Sequence, residues 1–292
     1  MRDVGNMRTK GIYHLTQPTW CRGCGLFGVF EALKRAAAKM SLPPEEMVVV
    51  TGIGCHGRMN NCFRAYGFHA LHGRVIPVAT GIKLANPSLK VIAVSGDGDA
   101  YSIGLGHFLH ALRKNVSLLY LVVNNRIYAL TQGQASPTTD LGMVTISTPF
   151  GTKDYPVDGL RLGLAAGGTF LGRGFAGEVD HLAKLMVRGM DHNGFALIDI
   201  LSPCVTHNKQ NTYQWYRENI FFVEREPGYD PKDKNRAWEA LQRQDRIAVG
   251  LLYEEKKPSW EDLLGLDRSR PFALEPLSVR REELEKIMEN FR

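Results

Sequence analysis

The chain has 292 residues, 44% of them apolar and 23% charged, the balance of a globular protein large enough for one α/β domain, alone or with an appendage. No apolar run approaches the roughly 20 residues that span a bilayer, and the opening MRDVGNMRTKGIYHLT lacks the continuous apolar segment of a secretory signal. A formal charge of +6 is that of a solvated surface able to meet a polyphosphate or an acidic partner, and no Lys/Arg stripe interleaved with aromatics points to nucleic acid.

In chain order, the first feature is QPTWCRGCGLFG at 17–28, with Cys21 and Cys24 three apart. Such a pair serves as half of a zinc site, a redox disulfide or two ligands of an iron–sulfur cluster. Five cysteines, an odd number, argue against a secreted disulfide framework and for a cytoplasmic protein that holds metal. Phe27, Phe30, Leu33 and Ala37 then recur at helical spacing. Short, β-branched apolar runs follow at Met47–Thr51, 91–95, 118–123, 169–172 and Phe195–Leu201. Their unbroken hydrophobicity suits parallel strands buried on both faces. Helix-period segments lie between them, at Leu105, Phe108, Leu109 and Leu112 and again over 178–190. The alternation predicts a parallel, doubly wound α/β domain over residues 1–210. From 211 to 292 the pattern changes: 213–226 is aromatic and charged, 231–234 reads as a loop, 237–252 as a helix, and the last dozen residues as a terminal helix. This mostly helical extension is expected to be a subunit contact.

Gly96-Asp97-Gly98 ends one predicted strand, and Asn124-Asn125 ends another after 25 intervening residues. A helix over 101–115 joins them in a βαβ unit, so both strand ends lie on the edge where open α/β sheets bind ligands. A lone Gly-Asp-Gly is usually a turn; its place at a strand end and the paired asparagines make this one different. Asp97 offers an anionic oxygen and Asn125 a neutral one, which with diphosphate oxygens and a backbone carbonyl complete the octahedron of Mg²⁺. The pattern resembles the thiamine-diphosphate signature, which implies Asp97, Asn125 and the main chain of Ile127 as Mg²⁺ ligands.

Cys55, in GIGCHG, and Cys204, in SPCVTHN, each follow a predicted strand and therefore emerge at that same edge. With Cys21 and Cys24 they would make a four-thiolate site. Zinc competes with an iron–sulfur cluster for such a set, and spacing alone leaves Cys62 open as the fourth ligand.

The segments WCRGCG, GIGCHGR, LHGRVIPVATGIKLANP, GDGDAYSIG, NNRIYALTQGQASPTT and SPCVTHN, in order from about residue 16 to 208, resemble the β subunit of 2-oxoacid:ferredoxin oxidoreductases. The resemblance implies a sheet of the thiamine-diphosphate-binding type and a [4Fe–4S] cluster on Cys21, Cys24, Cys55 and Cys204, with Cys62 left as a structural thiol. It also implies cofactor contacts from Ile53, Gly54, Cys55, His56, Gly96, Gly98, Asp99, Ala129 and Leu130, and catalytic roles for His56, Arg58 and His72. Arg58 is suited to a second substrate carboxylate, and His207 and Asn208 to tuning the cluster. The implied reaction converts a 2-oxoacid, coenzyme A and oxidised ferredoxin to acyl-CoA, CO₂ and reduced ferredoxin, and in reverse fixes CO₂. The start WC-x-GCG resembles the 2-oxoglutarate type; pyruvate or broad-specificity enzymes, and more remotely a non-oxidative thiamine enzyme with structural zinc, are the alternatives. The glutamate that activates thiamine is supplied in this family by an α subunit, so an αβ or (αβ)₂ assembly is expected.

Overall fold

The computed structural model describes residues 11–275, 278 and 281–291. Helix α1 (Gly25–Lys39) leads to strand β1 (Met47–Thr51), the short helix α2 (Met59–Cys62) and strand β2 (Tyr66–His69). Next come α3 (Val75–Ala85), β3 (Lys90–Gly96), α4 (Asp97–Tyr101), α5 (Leu105–Lys114) and β4 (Leu118–Asn124). A small hairpin, β5 (Ile127–Tyr128) and β6 (Gln134–Ala135), precedes α6 (Gly159–Ala165), β7 (Phe170–Phe175), α7 (Val179–Asp191) and β8 (Phe195–Leu201). The chain continues through α8 (Tyr213–Asn219), β9 (Ile220–Phe222), α9 (Lys234–Gln242), β10 (Ile247–Glu254), α10 (Trp260–Leu263) and α11 (Arg281–Glu289).

One sheet of eight strands runs β2-β1-β3-β4-β8-β7-β10-β9. Every neighbouring pair is parallel except β7 and β10, which are antiparallel. Along the central strands, alternate side chains serve opposite cores. Val49, Ile92, Leu121 and Ile198 face α1 and α7, whereas Val50, Ala93, Tyr120 and Leu197 face α3, α5, α6 and α9. Each large side chain buried this way stabilises the fold by ~1.5–3 kcal/mol. Hence the strands read as continuous apolar runs: both faces are covered, as the doubly wound class requires.

Three elements depart from the sequence expectation. The helix expected over 237–252 ends at Gln242, and Ile247–Glu254 is a strand between β7 and β9. A short apolar run fits either period; the charged 243–246 segment ends the helix, and IAVGLLYE is buried as a strand. Consequently the region beyond 210, though most of its regular structure is helical as expected, is no appendage, because β9 and β10 complete the main sheet. The helix expected over 101–115 is two, broken at Ser102 and Gly104, whose Cβ position is filled by the Asp99 carbonyl. The strand expected at 169–172 runs on to Phe175 through a buried arginine, Arg173.

Candidate active site

Parallel strands deliver their C-terminal ends to one edge. The loops after β1, β3, β4 and β8 therefore bring together residues 52–58, 97–101, 125–131 and 202–208. Between the first three opens a cavity of about 280 Å³. Ile53, Gly54, Cys55 and His56 line one wall, Gly96, Asp97, Gly98 and Asp99 the floor, and Asn125, Ile127, Ala129 and Leu130 the opposite wall, with His72 at the side. Tyr128, Thr131, Leu26 and Val123 complete it. Of the residues singled out in the sequence for cofactor or catalysis, Arg58 alone does not line it; its guanidinium bonds the Thr19 hydroxyl and acts electrostatically on Cys55.

Asp97 sits buried on the floor. Its Oδ2 accepts hydrogen bonds from the hydroxyls of Ser136 (2.5 Å) and Thr138 (2.7 Å), so Oδ1 is the oxygen spared by both. Burial pushes its carboxyl up to about 6, while the two hydroxyls act in the opposite direction. A buried carboxylate raised by desolvation gains most from a cation at its free oxygen, so this residue fits a metal. Asn125 Oδ1 accepts the Ile127 N–H at 3.1 Å, and its carbonyl accepts from Asn208 Nδ2 at 3.1 Å, which fixes the loop that carries both groups. Gly98 is required because a Cβ there would overlap the Tyr128 ring.

Beneath the floor runs a buried polar network. Asn124 donates to both oxygens of Asp199 (3.2 and 3.3 Å), which also accepts from the Tyr101 hydroxyl at 2.7 Å. Thr138 Oγ1 stands 3.0 Å from Asn124 Oδ1 and joins this network to Asp97. Arg173 balances the Asp199 charge from 3.9 Å and bonds Asp158 at 3.1 Å.

Asp99 is buried rather than solvent-exposed. Its Oδ1 accepts the Gly73 N–H at 2.6 Å and faces His72 Nδ1 at 3.1 Å, while Oδ2 lies 3.8 Å from His56 Nε2. His56 is fully enclosed, and burial lowers its pKa to about 4 despite Asp99. It is a neutral imidazole at pH 7.

The cysteine loops converge beside the cavity. The Trp20 indole donates to the Cys55 carbonyl at 2.8 Å, and the Gly25 N–H to the Pro203 carbonyl at 3.0 Å. Thus the Cys21–Cys24 loop is tied at once to the Cys55 and Cys204 loops. Burial, joined by Cys204, Cys55 and Cys21, pushes the Cys24 thiol up to about 11. Cys55 is raised by burial and then by Cys204 and Cys21. Cys62 instead packs in the α1 core with Tyr13 and Phe63, its sulfur accepting from Thr16 at 3.7 Å. Four soft donors within electrostatic reach of one another suit an iron–sulfur cluster, whose thiolates each hold a different iron. Among the described residues, no three His, Cys, Asp or Glu side chains close around a single ion.

Ser136, Thr138 and Tyr128 carried no role in the sequence reading. The signal of the first two was the run of hydroxyls in SPTT shortly after Asn125, which only the fold brings back onto Asp97.

This fold and floor are those of a thiamine-diphosphate-binding domain. Residues 52–200 match the family model described as the C-terminal TPP-binding domain of thiamine pyrophosphate enzymes, and 204–266 the C-terminal part of the pyruvate ferredoxin oxidoreductase β subunit. The chain belongs to the β subunits of the 2-oxoacid:ferredoxin oxidoreductases. It is 41% identical to subunit beta of 2-oxoacid:ferredoxin oxidoreductase 2 of Aeropyrum pernix, over 91% of this chain and 89% of the relative. It is 33% identical to the 2-oxoglutarate synthase subunit KorB of Methanocaldococcus jannaschii, over 88% and 94% respectively. A solved structure of 2-oxoglutarate:ferredoxin oxidoreductase from Magnetococcus marinus, with 2-oxoglutarate, coenzyme A and succinyl-CoA bound, superposes with a TM-score of 0.88 at 34% identity, covering 98% of this chain and 97% of that one. The chain is thus a β subunit of an oxidoreductase, which implies an α partner. Among the described residues, no helix is long and apolar enough to cross a membrane.

Proposed function

We propose that this β subunit binds thiamine diphosphate and Mg²⁺ in the 280 Å³ cavity and a [4Fe–4S] cluster beside it, and that with its α subunit it oxidatively decarboxylates 2-oxoglutarate. 2-Oxoglutarate and coenzyme A give succinyl-CoA, CO₂ and a proton, and the two electrons leave one at a time to two oxidised ferredoxins. The observation that carries the proposal is the meeting, on one sheet edge, of a buried Asp97 spared at Oδ1 with the three hydrogen-bonded loops that carry Cys21, Cys24, Cys55 and Cys204. When bound, thiamine diphosphate supplies the electron sink for decarboxylation, and a thiolate-held cluster supplies one-electron transfer at low potential.

The chain's own residues do the rest. Asp97, Asn125 and the Ile127 carbonyl hold the metal, and Cys21, Cys24, Cys55 and Cys204 hold the cluster. Gly96, Gly98 and the 53–56 loop let the backbone close on the diphosphate, with Ala129 and Leu130 covering it. Asp99 orients His72 and His56 toward the cavity, and His56, neutral at pH 7, offers one ring nitrogen to a substrate proton. Arg58, outside the cavity lining and bonded to Thr19, would have to leave that hydroxyl to pair with the second carboxylate of 2-oxoglutarate, a role its guanidinium suits. Exposed apolar side chains rim the same edge, among them Ile53, Leu71, Ile103 and Leu130. Such a rim fits coverage by the α subunit, which would exclude water and bring the activating glutamate.

The match of residues 204–266 to a pyruvate ferredoxin oxidoreductase model supports a second reading, a pyruvate or broad-specificity enzyme. The two are separated by kcat/KM of the αβ complex for 2-oxoglutarate, pyruvate and 2-oxobutyrate, with Arg58→Gln in parallel. A preference for 2-oxoglutarate that Arg58→Gln removes supports the first; equal rates, unchanged in the variant, support the second. Production of free aldehyde with no electron transfer would sink both.

A further inference from the structure

Far from this site, at the N-terminal ends of β3 and β4, a cavity of about 370 Å³ opens between the central strands and the end of α7. It is lined by Lys83, Lys90, Arg268, Ser117, Asp191 and Asn193, with apolar residues at its back. Lys83 is only 6% exposed. Its ammonium donates to the Pro87 and Leu89 carbonyls at 2.7 and 2.9 Å, and Lys90 Nζ to the Met190 carbonyl at 2.6 Å. An ammonium has three donors, so one proton on Lys83 and two on Lys90 remain uncommitted by these bonds. Arg268 Nη2 bonds Asn193 Oδ1 at 3.1 Å and lies 3.7 Å from Asp262.

Each cation has one carboxylate in its neighbourhood, Glu261 for Lys83, Asp191 for Lys90 and Asp262 for Arg268, but of the three only Arg268 makes an ion pair among the described residues. Among the described residues, neither lysine forms an ion pair with a carboxylate within 4.0 Å. Glu261 is buried nearby, but both its oxygens accept the Ser117 N–H, at 3.1 and 3.2 Å. Burial lowers Lys83 to about 8, and Lys90 and Arg268 push it the same way against Glu261. Lys90 is lowered by burial too, with Arg268 adding to the effect and Asp191 opposing it. Burying a cation out of contact with a counter-charge is costly, and backbone carbonyls supply dipoles but no net charge. Arg268 has Asp262 beside it and Asp191 lines the hollow, so the two lysines, in ion-pair contact with no carboxylate among the described residues, are the cations an anion would neutralise.

We propose that this cavity binds a phosphate-type oxyanion, free or as the terminal group of a phosphomonoester, through Lys83, Lys90 and Arg268. The volume exceeds what one phosphate fills, and Ser117 and Asn193 offer further polar contacts at the rim. The site lies at the opposite edge of the sheet from the cofactor cavity and shares no lining residue with it, so filling one does not block the other.

The test is calorimetric titration of inorganic phosphate and, separately, of AMP into the αβ complex already saturated with thiamine diphosphate and Mg²⁺, at constant ionic strength set with chloride. The expected result is saturable binding at one site per β chain, weakened about tenfold or more by Lys90→Gln and by Arg268→Gln. Saturation by phosphate identifies the free ion as sufficient; saturation by AMP alone identifies the phosphomonoester. Arg268 is half exposed, so its variant is expected to fold whatever becomes of Lys90→Gln. No saturation by either probe, or affinity unchanged in Arg268→Gln, would overturn the proposal.

Discussion

Gly25 is where the proposed cluster site is most sensitive to a single methyl group. A Cβ at this position would lie 3.0 Å from both the Pro203 nitrogen and the Ser202 carbonyl carbon, and closer still to the Ser202 hydroxyl. The hydroxyl can rotate away; the backbone cannot. To reach ordinary contact at 3.4 Å the two segments must separate by about 0.4 Å, which strains the hydrogen bond from Gly25 N–H to the Pro203 carbonyl. Overpacking of this kind costs ~1–3 kcal/mol. Cys24 precedes Gly25 and Cys204 follows Pro203, so the displacement falls between two of the four proposed ligands. Gly25→Ala is therefore expected to lower the iron and acid-labile sulfide content of anaerobically purified complex to less than about half, since metal binding and local order are coupled. Gly106→Ala, where a Cβ meets nothing within 4 Å, is the matched control and should retain full iron. Full iron in Gly25→Ala, with thermal stability reduced by the packing term, would refute the idea that this close approach builds the cluster site.

Other residues give equally definite expectations. Ser136→Ala and Thr138→Val each remove a hydroxyl from Asp97 Oδ2, a bond worth ~1.5–3 kcal/mol to an ionised group, so Mg²⁺-dependent thiamine diphosphate affinity should fall roughly tenfold to a hundredfold. Calorimetric titration of the cofactor checks this, and an unchanged affinity would make the hydroxyls purely structural. Cys204→Ser should abolish cluster-dependent turnover while Cys62→Ser, in the α1 core, leaves it largely intact; the reverse outcome would move the fourth ligand. His56 is lowered from 6.5 to about 4 by burial, so the folded state binds fewer protons than the unfolded state between those values. Its contribution is present above pH 6.5 and lost as pH falls toward 4, on the order of 3 kcal/mol in all. Denaturant unfolding at pH 7 and pH 5 should show a steeper acid loss in the parent than in His56→Gln.

The strands β1, β4 and β8 were legible because burial on both faces removes the polar positions that would otherwise confuse the pattern. The Asp97 and Asn125 pair was legible because strand ends are chemically marked, by Gly-Asp-Gly and Asn-Asn, and parallel strands force them to one edge. β10 was not: Ile247–Glu254 is as apolar as a buried helix, and what makes it a strand is the open edge of β7, a partner remote in sequence. Likewise the extension of β7 through Gly172, Arg173 and Gly174 follows from Asp158 and Asp199, which compensate the buried guanidinium from elsewhere in the chain. The roles of Ser136 and Thr138 depend on a hairpin return that leaves no fixed spacing in the sequence. Local chemistry was readable, whereas the compensations that arrive across the fold were not.

The central claim is that a cofactor held by Asp97 passes electrons to a cluster held by the four cysteines. The most direct measurement is electron paramagnetic resonance of the anaerobic αβ complex, frozen after mixing with 2-oxoglutarate in the absence of ferredoxin. A reduced [4Fe–4S] signal that appears in the parent and is missing in Asp97→Ala, with the iron content of the two equal, is the predicted result. Zinc in place of iron, or a cluster that no 2-oxoacid reduces, would contradict it.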